Sequence, residues 1–326
     1  LELDVDPNAY IYPMVASPDG VVAVLQGQAT TTELFEVSSS IELLWSRTFD
    51  DASINALTPM GGGQYLLGGT VMMASGNTPS AWRLSCCVGS EYQTFPLMPS
   101  DSPATIAAIE PYAGGIFMAA SLVEGAGELA AFMRTELDFF PDLESELGTY
   151  EGFVMGSART PSGGVMVTVM ANGHYMRYEV ALDGTVTESE LEELTALVGS
   201  GDDLMSMTFG SHELHLQPYG GGPEVEVPIS EIDFQTAGFV YGRGEHLAFV
   251  HDFSLPGGGS TMRLTEFDES GTVLRELDIP HTLDDHSHCL PSAVAVAEDG
   301  AIYVAMNEYV PDGGATAVLI HRIDPL

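Results

Sequence analysis

Between Pro280 and Pro291 the sequence reads PHTLDDHSHCLP, its densest run of groups able to do chemistry. His281, His286 and His288 offer imidazole nitrogens, Asp284 and Asp285 carboxylates, and Cys289 a thiol. Imidazole and carboxylate together suit zinc, copper, manganese or iron. An ion held by His286, His288 and a carboxylate, with His251 and Asp252 joining from an earlier segment, would lower the pKa of a bound water. That water would then be a nucleophile for hydrolytic or eliminative chemistry. No fixed metal spacing such as H-E-x-x-H is present, so the plainer reading is a solvated polar loop in which Cys289 begins a buried strand. Calcium is a further divalent ion to weigh, but no EF-hand pattern appears, and Asp19-Gly20, Asp183-Gly184 and Asp299-Gly300 are turn formers first.

Other signatures are weak. The glycine runs Gly61–Gly63, Gly220–Gly222 and Gly257–Gly259 are not followed by a helix start and Lys-Ser/Thr, so they are not phosphate loops. No G-x-S-x-G elbow occurs. Cys86 and Cys87 are adjacent, which an ordinary disulfide does not tolerate without strain, and two buried thiols are expected. The 15 methionines read as core filling.

The elements that must position such residues show in a repeated phrase: an apolar run, a glycine turn, and a second apolar run. Ile11–Gly27 reads IYPMVASPDGVVAVLQG, Ile54–Gly69 reads INALTPMGGGQYLLGG, and Ser292–Met306 reads SAVAVAEDGAIYVAM. Further copies lie at Ile106–Ser121, Phe153–Met170, Leu204–Leu216 and Ala237–Val250. From the turn at Gly20 to that at Gly300, six steps span 280 residues, or about 47 per repeat, the period of a four-stranded blade. Nearly continuous apolar runs suit inner strands covered on both faces by neighbouring blades. An alternating third strand follows each phrase, including Glu224–Val227 in the short fifth repeat, and fourth strands are clear at Ile41–Phe49 and Thr272–Ile279. Thr187–Val198 (TESELEELTALV) instead reads as helical, with a capping Thr187 and apolar spacing at Leu191, Leu194, Leu197 and Val198.

These features predict an all-β, seven-bladed β-propeller with four-stranded antiparallel blades. The blades fall near residues 9–51, 52–103, 104–150, 151–203, 204–234, 235–290 and 291–326, in one domain. Repeat seven runs out after three strands, and the spare segment Leu1–Val5 (LELDV) is expected to close the ring by pairing around Val318–Arg322. The S-P-D-G turn resembles those of bacterial seven-bladed propeller repeats of the YVTN-type and TolB-like groups. The resemblance is one of repeat grammar. The WD dipeptide, the kelch signature and the tryptophan-docking motif are missing, and no activity follows from it.

In such propellers the loops between strands two and three, and those leading from strand four into the next blade, gather on one face. That places His174, His251, Asp252, His281, Asp284, Asp285, His286, His288, Cys289, Asn307 and Glu308 on a shared loop face, with His174, Asn307 and Glu308 as ligand-binding candidates. His251, Asp252, His286 and His288 are expected near the junction of blades six and seven.

Charge narrows the partners. Nine basic residues, all arginine, stand against 47 acidic ones, a net −38. Such a surface repels nucleic acid and anionic lipid, and favours cations and basic partners. Adaptation to a salty medium or a GC-rich genome is the plainer origin for the bias, ahead of a dedicated cation-binding role. No apolar run reaches the roughly 18 residues of a transmembrane helix. The chain carries no signal peptide and starts at Leu1 rather than methionine. The expectation is an exported monomer, extracellular, periplasmic or at the cell surface, whose leader has been removed. Two functions compete: a binding or scaffold module for a protein, small-molecule or glycan ligand, and a metal-dependent lyase, hydrolase or oxidase. Metal content of the purified protein separates them.

Overall fold

Val21, Val22, Ala23, Val24 and Leu25 follow one another without a polar break, and every one is buried. A strand with one wet face would alternate, so this one must be sandwiched. The same holds for Ile116–Ala120 and for Ile302–Met306. The computed structural model accounts for these runs. It describes residues 1–3, 9–27, 31–73, 76–85, 93–96, 104–112, 115–124, 127–136, 145–192, 195–199, 201–209, 213–229, 239–243, 246–254, 260–268, 270–280, 288–309 and 317–326.

The fold is all β: a seven-bladed β-propeller of four-stranded antiparallel sheets. The first strand is β1 (Glu2–Leu3). Blade one is β2 (Tyr10–Ser17), β3 (Gly20–Gln26), β4 (Thr31–Ser38) and β5 (Leu43–Asp50). Blade two is β6 (Ala52–Gly61), β7 (Gln64–Met73), β8 (Gly76–Ser85) and β9 (Gln93–Pro96). Blade three is β10 (Ala104–Tyr112), β11 (Gly115–Glu124), β12 (Gly127–Glu136) and β13 (Ser145–Glu151). Blade four is β14 (Phe153–Arg159), β15 (Val165–Ala171), β16 (His174–Val180) and β17 (Val186–Leu191). Blade five is β18 (Ala196–Val198), β19 (Met205–Phe209), β20 (Glu213–Pro218) and β21 (Val225–Pro228). Blade six is β22 (Phe239–Arg243), β23 (His246–Ser254), β24 (Ser260–Asp268) and β25 (Val273–Ile279). Blade seven is β26 (His288–Val296), β27 (Ile302–Tyr309) and β28 (Ala317–Ile323), completed by β1.

Contacts divide the chain into two compact units. One holds Leu1–Phe49, Phe209–Gln217 and Pro223–Leu326; the other holds Asp50–Thr208 and Pro218–Gly222. In the first unit, Ile11, Val21, Ala23 and Phe35 of blade one pack on Ala295, Tyr303, Ala305 and Ile320 of blade seven. Tyr303 also donates its hydroxyl to Ser38 O at 3.2 Å. The other flank of blade seven, with Val294, Val304 and Met306, packs on Val250, Met262 and Leu264 of blade six. In the second unit, Ile106, Ile116 and Met118 of blade three meet Ala56, Leu66 and Ala81 of blade two. Phe117 and Phe132 meet Val154, Val167 and Tyr178 of blade four. Alanines opposite large side chains let the blades interdigitate at interior packing density.

Ring closure by the N-terminal strand is as expected. Glu2 pairs with Leu319 and Leu3 with Val318. The Leu1 nitrogen donates to Ile320 O at 2.8 Å, and Ile320 N donates back to Leu1 O at 2.9 Å. The AEDG turn also forms as its residues require: Gly300 takes φ 83°, and Asp299 Oδ1 accepts from Ala301 N at 3.0 Å.

Two expectations need correction. Thr187–Val198 is not helical: Val186–Leu191 is the outer strand of blade four, paired with β16, and Ala196–Val198 opens blade five. A helix would set Glu188 against Glu192, one turn apart, whereas the strand leaves Glu188 and Glu190 exposed on a sheet edge. In blade five the strands run β18-β19-β20-β21, so the segment around Glu224–Val227 is the fourth strand, not the third. The recurrent phrase there spans strands two and three.

One feature recurs without a clear sequence signal. The pairing of first and second strands slips by one residue between Ile54 and Ala56, Ile106 and Ala108, Val154 and Gly156, and Pro291 and Ala293. Each slip is a β-bulge that bends the innermost strand and leaves Asn55, Ala107, Met155 or Ser292 unpaired in the ladder.

Candidate functional site

The β20–β21 hairpin brings titratable side chains together. Strand alternation buries Leu214 and Leu216 of β20 and Val227 of β21 on one face. The opposite face carries Glu213, His215, Glu224 and Glu226. His215 sits directly across from Glu226. Its Nδ1 lies 2.5 Å from Glu224 Oε1, and its Nε2 lies 3.4 Å from Glu213 Oε1. The ring is one-quarter exposed, the two carboxylates about half. Partial burial, the largest single influence, lowers the pKa of His215. Hydrogen bonding to Glu224 and the charges of Glu224 and Glu213 outweigh it and raise the pKa. Among the described residues, His215, Glu224 and Glu226 form a group whose ligand atoms all lie within 4.8 Å of one another. The sequence reading passed over this group. Its signal was E-x-H on one short strand facing E-x-E across a glycine-rich turn.

A second feature lies at the end of the β15–β16 hairpin. Asn172 and Gly173 take φ 49° and 82°, the paired positive values of a two-residue type I′ turn. His174 follows, exposed, with Nδ1 3.1 Å from Glu190 Oε1 on β17. Gly173, His174, Tyr175, Glu190, Leu191 and Glu192 line an open depression of about 320 Å³. His174 is thus at a hairpin end, among the residues that line the depression.

The other sequence candidates fall differently. His251 lies within β23, 1% exposed, its ring stacked on Phe249 at 5.0 Å and 20°. Asp252 follows on the same strand opposite Met262. Asn307 and Glu308 belong to strand β27 rather than to a loop, 4% and 0% exposed. The Asn307 Nδ2 donates to Tyr309 Oη at 3.1 Å and to Ala9 O at 3.4 Å. His288 begins β26 opposite Tyr309. The side chains of Asp252 and His288 lie outside the described residues, as do His281, Asp284, Asp285 and His286 in full, so the expected rim cluster is not assembled from what is described. Cys86 and Cys87 also lie outside. Cys289 is a buried thiol, and its backbone N donates to Ser260 Oγ of blade six at 3.1 Å.

A half-buried carboxyl stands apart from these groups. Glu110 on β10 accepts a hydrogen bond from Ser157 Oγ of β14 at 2.9 Å. Burial pushes its pKa up to about 7, against the smaller lowering effects of Ser157 and the Arg159 charge.

No protein-family model and no curated protein matches the chain. Solved structures do. The chain is similar to the Pyrococcus horikoshii acylaminoacyl peptidase, with TM-score 0.57 and 12% identity over 93% of this chain and 52% of that one. It is similar to a prolyl endopeptidase, with TM-score 0.55 and 10% identity over 98% of this chain and 50% of the other. It is also similar to the Dos1 propeller, with TM-score 0.55 and 8% identity over 95% and 77%. The likeness is one of fold. The chain spans about half the length of the two peptidases.

Proposed function

We propose that this propeller is a binding module for a basic ligand, an arginine- or lysine-bearing peptide or protein segment, received at its hairpin ends. The carrying observation is the depression beside the Asn172–Gly173 turn. There Tyr175 offers an aromatic surface, and Glu190 and Glu192 offer carboxylates. A guanidinium or ammonium group suits that lining through charge-assisted hydrogen bonds and ring stacking. The chain's charge supports the reading. Nine arginines cannot neutralise 47 acidic side chains, and Arg263, Arg275 and Arg322 are already engaged with Asp278, Glu266, Asp299 and Asp324. A propeller fold is also a common platform for binding or scaffolding, although fold alone assigns no ligand.

The test is selection of a random peptide library on the immobilised protein in about 0.5 M NaCl, where diffuse attraction between exposed charges is screened. Enriched peptides should be basic, and replacing Glu190 and Glu192 with glutamine should weaken them at least tenfold. Enrichment of neutral or acidic peptides, or affinities indifferent to the two replacements, removes the reading.

A further inference from the structure

We propose that His215, Glu224 and Glu226 bind one divalent first-row transition-metal ion on the outer hairpin of blade five. The donor set is one imidazole nitrogen and two carboxylates. It contains no thiolate, so it does not favour soft monovalent copper. The imidazole distinguishes it from the all-oxygen sites of calcium and magnesium. The hairpin supplies the preorganisation. His215 and Glu226 are a cross-strand pair held by the ladder, and the buried Leu214, Leu216 and Val227 fix which face their neighbours present.

The second ring nitrogen completes the argument. Glu213 Oε1 lies 3.4 Å from Nε2. In that arrangement Nε2–H faces Glu213, and Nδ1, whose proton now lies against Glu224, is the nitrogen left to release that proton and take an ion. A carboxylate that orients the far nitrogen of a ligating histidine is the usual outer shell of such sites. The ion takes the place of the proton between Nδ1 and Glu224 Oε1, now 2.5 Å apart. Ligand bonds of about 2.0–2.2 Å need that pair to open by roughly 1 Å. Both side chains are partly exposed and can turn to do so, while Glu226 closes from across the strand. Three carboxylates around one imidazole leave a negative site for a dication to neutralise. Three protein ligands leave one coordination position to water.

The experiment uses the full chain, stripped with a chelator and titrated with Co²⁺ in about 0.5 M NaCl to suppress diffuse binding. Visible d–d absorption is the readout, with Zn²⁺ as competitor. The wild type should bind one equivalent more than His215→Ala, and the difference spectrum should carry the band of an imidazole-ligated ion. Glu224→Gln and Glu226→Gln should each weaken that equivalent at least tenfold. His174→Ala, which removes an exposed histidine paired with a carboxylate elsewhere, should leave it intact. If His215→Ala does not fold, the exposed replacement Glu226→Gln decides alone. Titrations of His215→Ala and Glu226→Gln that superimpose on the wild type overturn the proposal, as does loss of the same equivalent in His174→Ala.

Discussion

Replacing Glu110 with glutamine should make the protein more stable in mild base, with the gain shrinking through mild acid and vanishing below about pH 4.5. The carboxyl accepts from Ser157 Oγ at 2.9 Å, and a glutamine carbonyl can keep that bond without ever ionising. Burial raises the pKa from 4.5 to about 7. The folded state therefore holds a proton that the unfolded chain has already released. Stability linked to this proton is complete below about pH 4.5 and is lost as pH rises through about 7. At 1.36 kcal/mol per pH unit the full cost is about 3 kcal/mol, and since water reaches part of the side chain, about 2–3 kcal/mol is expected. For a chain of 326 residues that corresponds to roughly 3–4 °C in Tm. Thermal and urea unfolding of both proteins at pH 5, 6, 7 and 8.5 provides the measurement. Subtracting the two profiles removes every other titrating group. The difference should be no more than about 1 kcal/mol at pH 5 and favour the variant by about 2–3 kcal/mol at pH 8.5. A difference that stays flat with pH, or a variant less stable at pH 8.5, refutes the assignment of Glu110 as a carboxyl protonated by burial.

Removing residues 1–3 should lower stability by about 2–4 kcal/mol, through two half-buried leucines and the hydrogen bonds to β28, and expose an open sheet edge; an unchanged urea midpoint would mean that the closing strand contributes nothing. Arg275→Ala should cost about 2–4 kcal/mol, because it leaves Glu266, 5% exposed, buried without the guanidinium now 2.6 Å away. Restoring most of that loss with Glu266→Gln in the same background is the accompanying check. With a net charge of −38, Tm should climb between about 10 mM and 0.5 M NaCl as the Debye length falls from about 30 Å to below 8 Å. A flat salt response would show the carboxylates to be well spaced or already neutralised.

The propeller was legible because its inner strands carry an unbroken apolar pattern that only burial on two faces explains. The closing strand was legible, at Leu1–Leu3, for a related reason: the alternating segment expected at Leu1–Val5 has no hairpin partner nearby and needs a distant one, and Asp4 and Val5 lie outside the described residues. Blade five was misassigned because its first strand, Ala196–Val198, has three residues, too few to show a period. The preceding Glu-rich segment imitated a helix through the spacing of Leu191, Leu194 and Leu197, and edge pairing overrode that local preference. The His215 group escaped notice because the histidine lies nine and eleven residues from its two glutamates and becomes their neighbour only through the β20–β21 register. The bulges at Asn55, Ala107, Met155 and Ser292 follow an apolar-x-small pattern too weak to single out in one chain. Asn307 and Glu308 were assigned to a loop because a strand's end is set by its partner, here β28, and not by its own composition.

The clasp between β1 and β28 also fixes an order of events. Leu1 and Ile320 meet across 319 residues, a separation whose loop-closure entropy is on the order of 5 kcal/mol if nothing between them is yet folded. Sheets such as β10–β13 close over short spans and can form as their residues leave the ribosome. Blade seven cannot take its fourth strand until β28 has been synthesised, although β1 precedes every other described strand. Until then β1 waits unpaired, and the exposed edge of β28 can accept the same segment from another copy of the chain. Domain exchange between neighbouring nascent chains, with β1 of one seated on β28 of the next, is therefore the misassembly this topology most readily permits at high concentration.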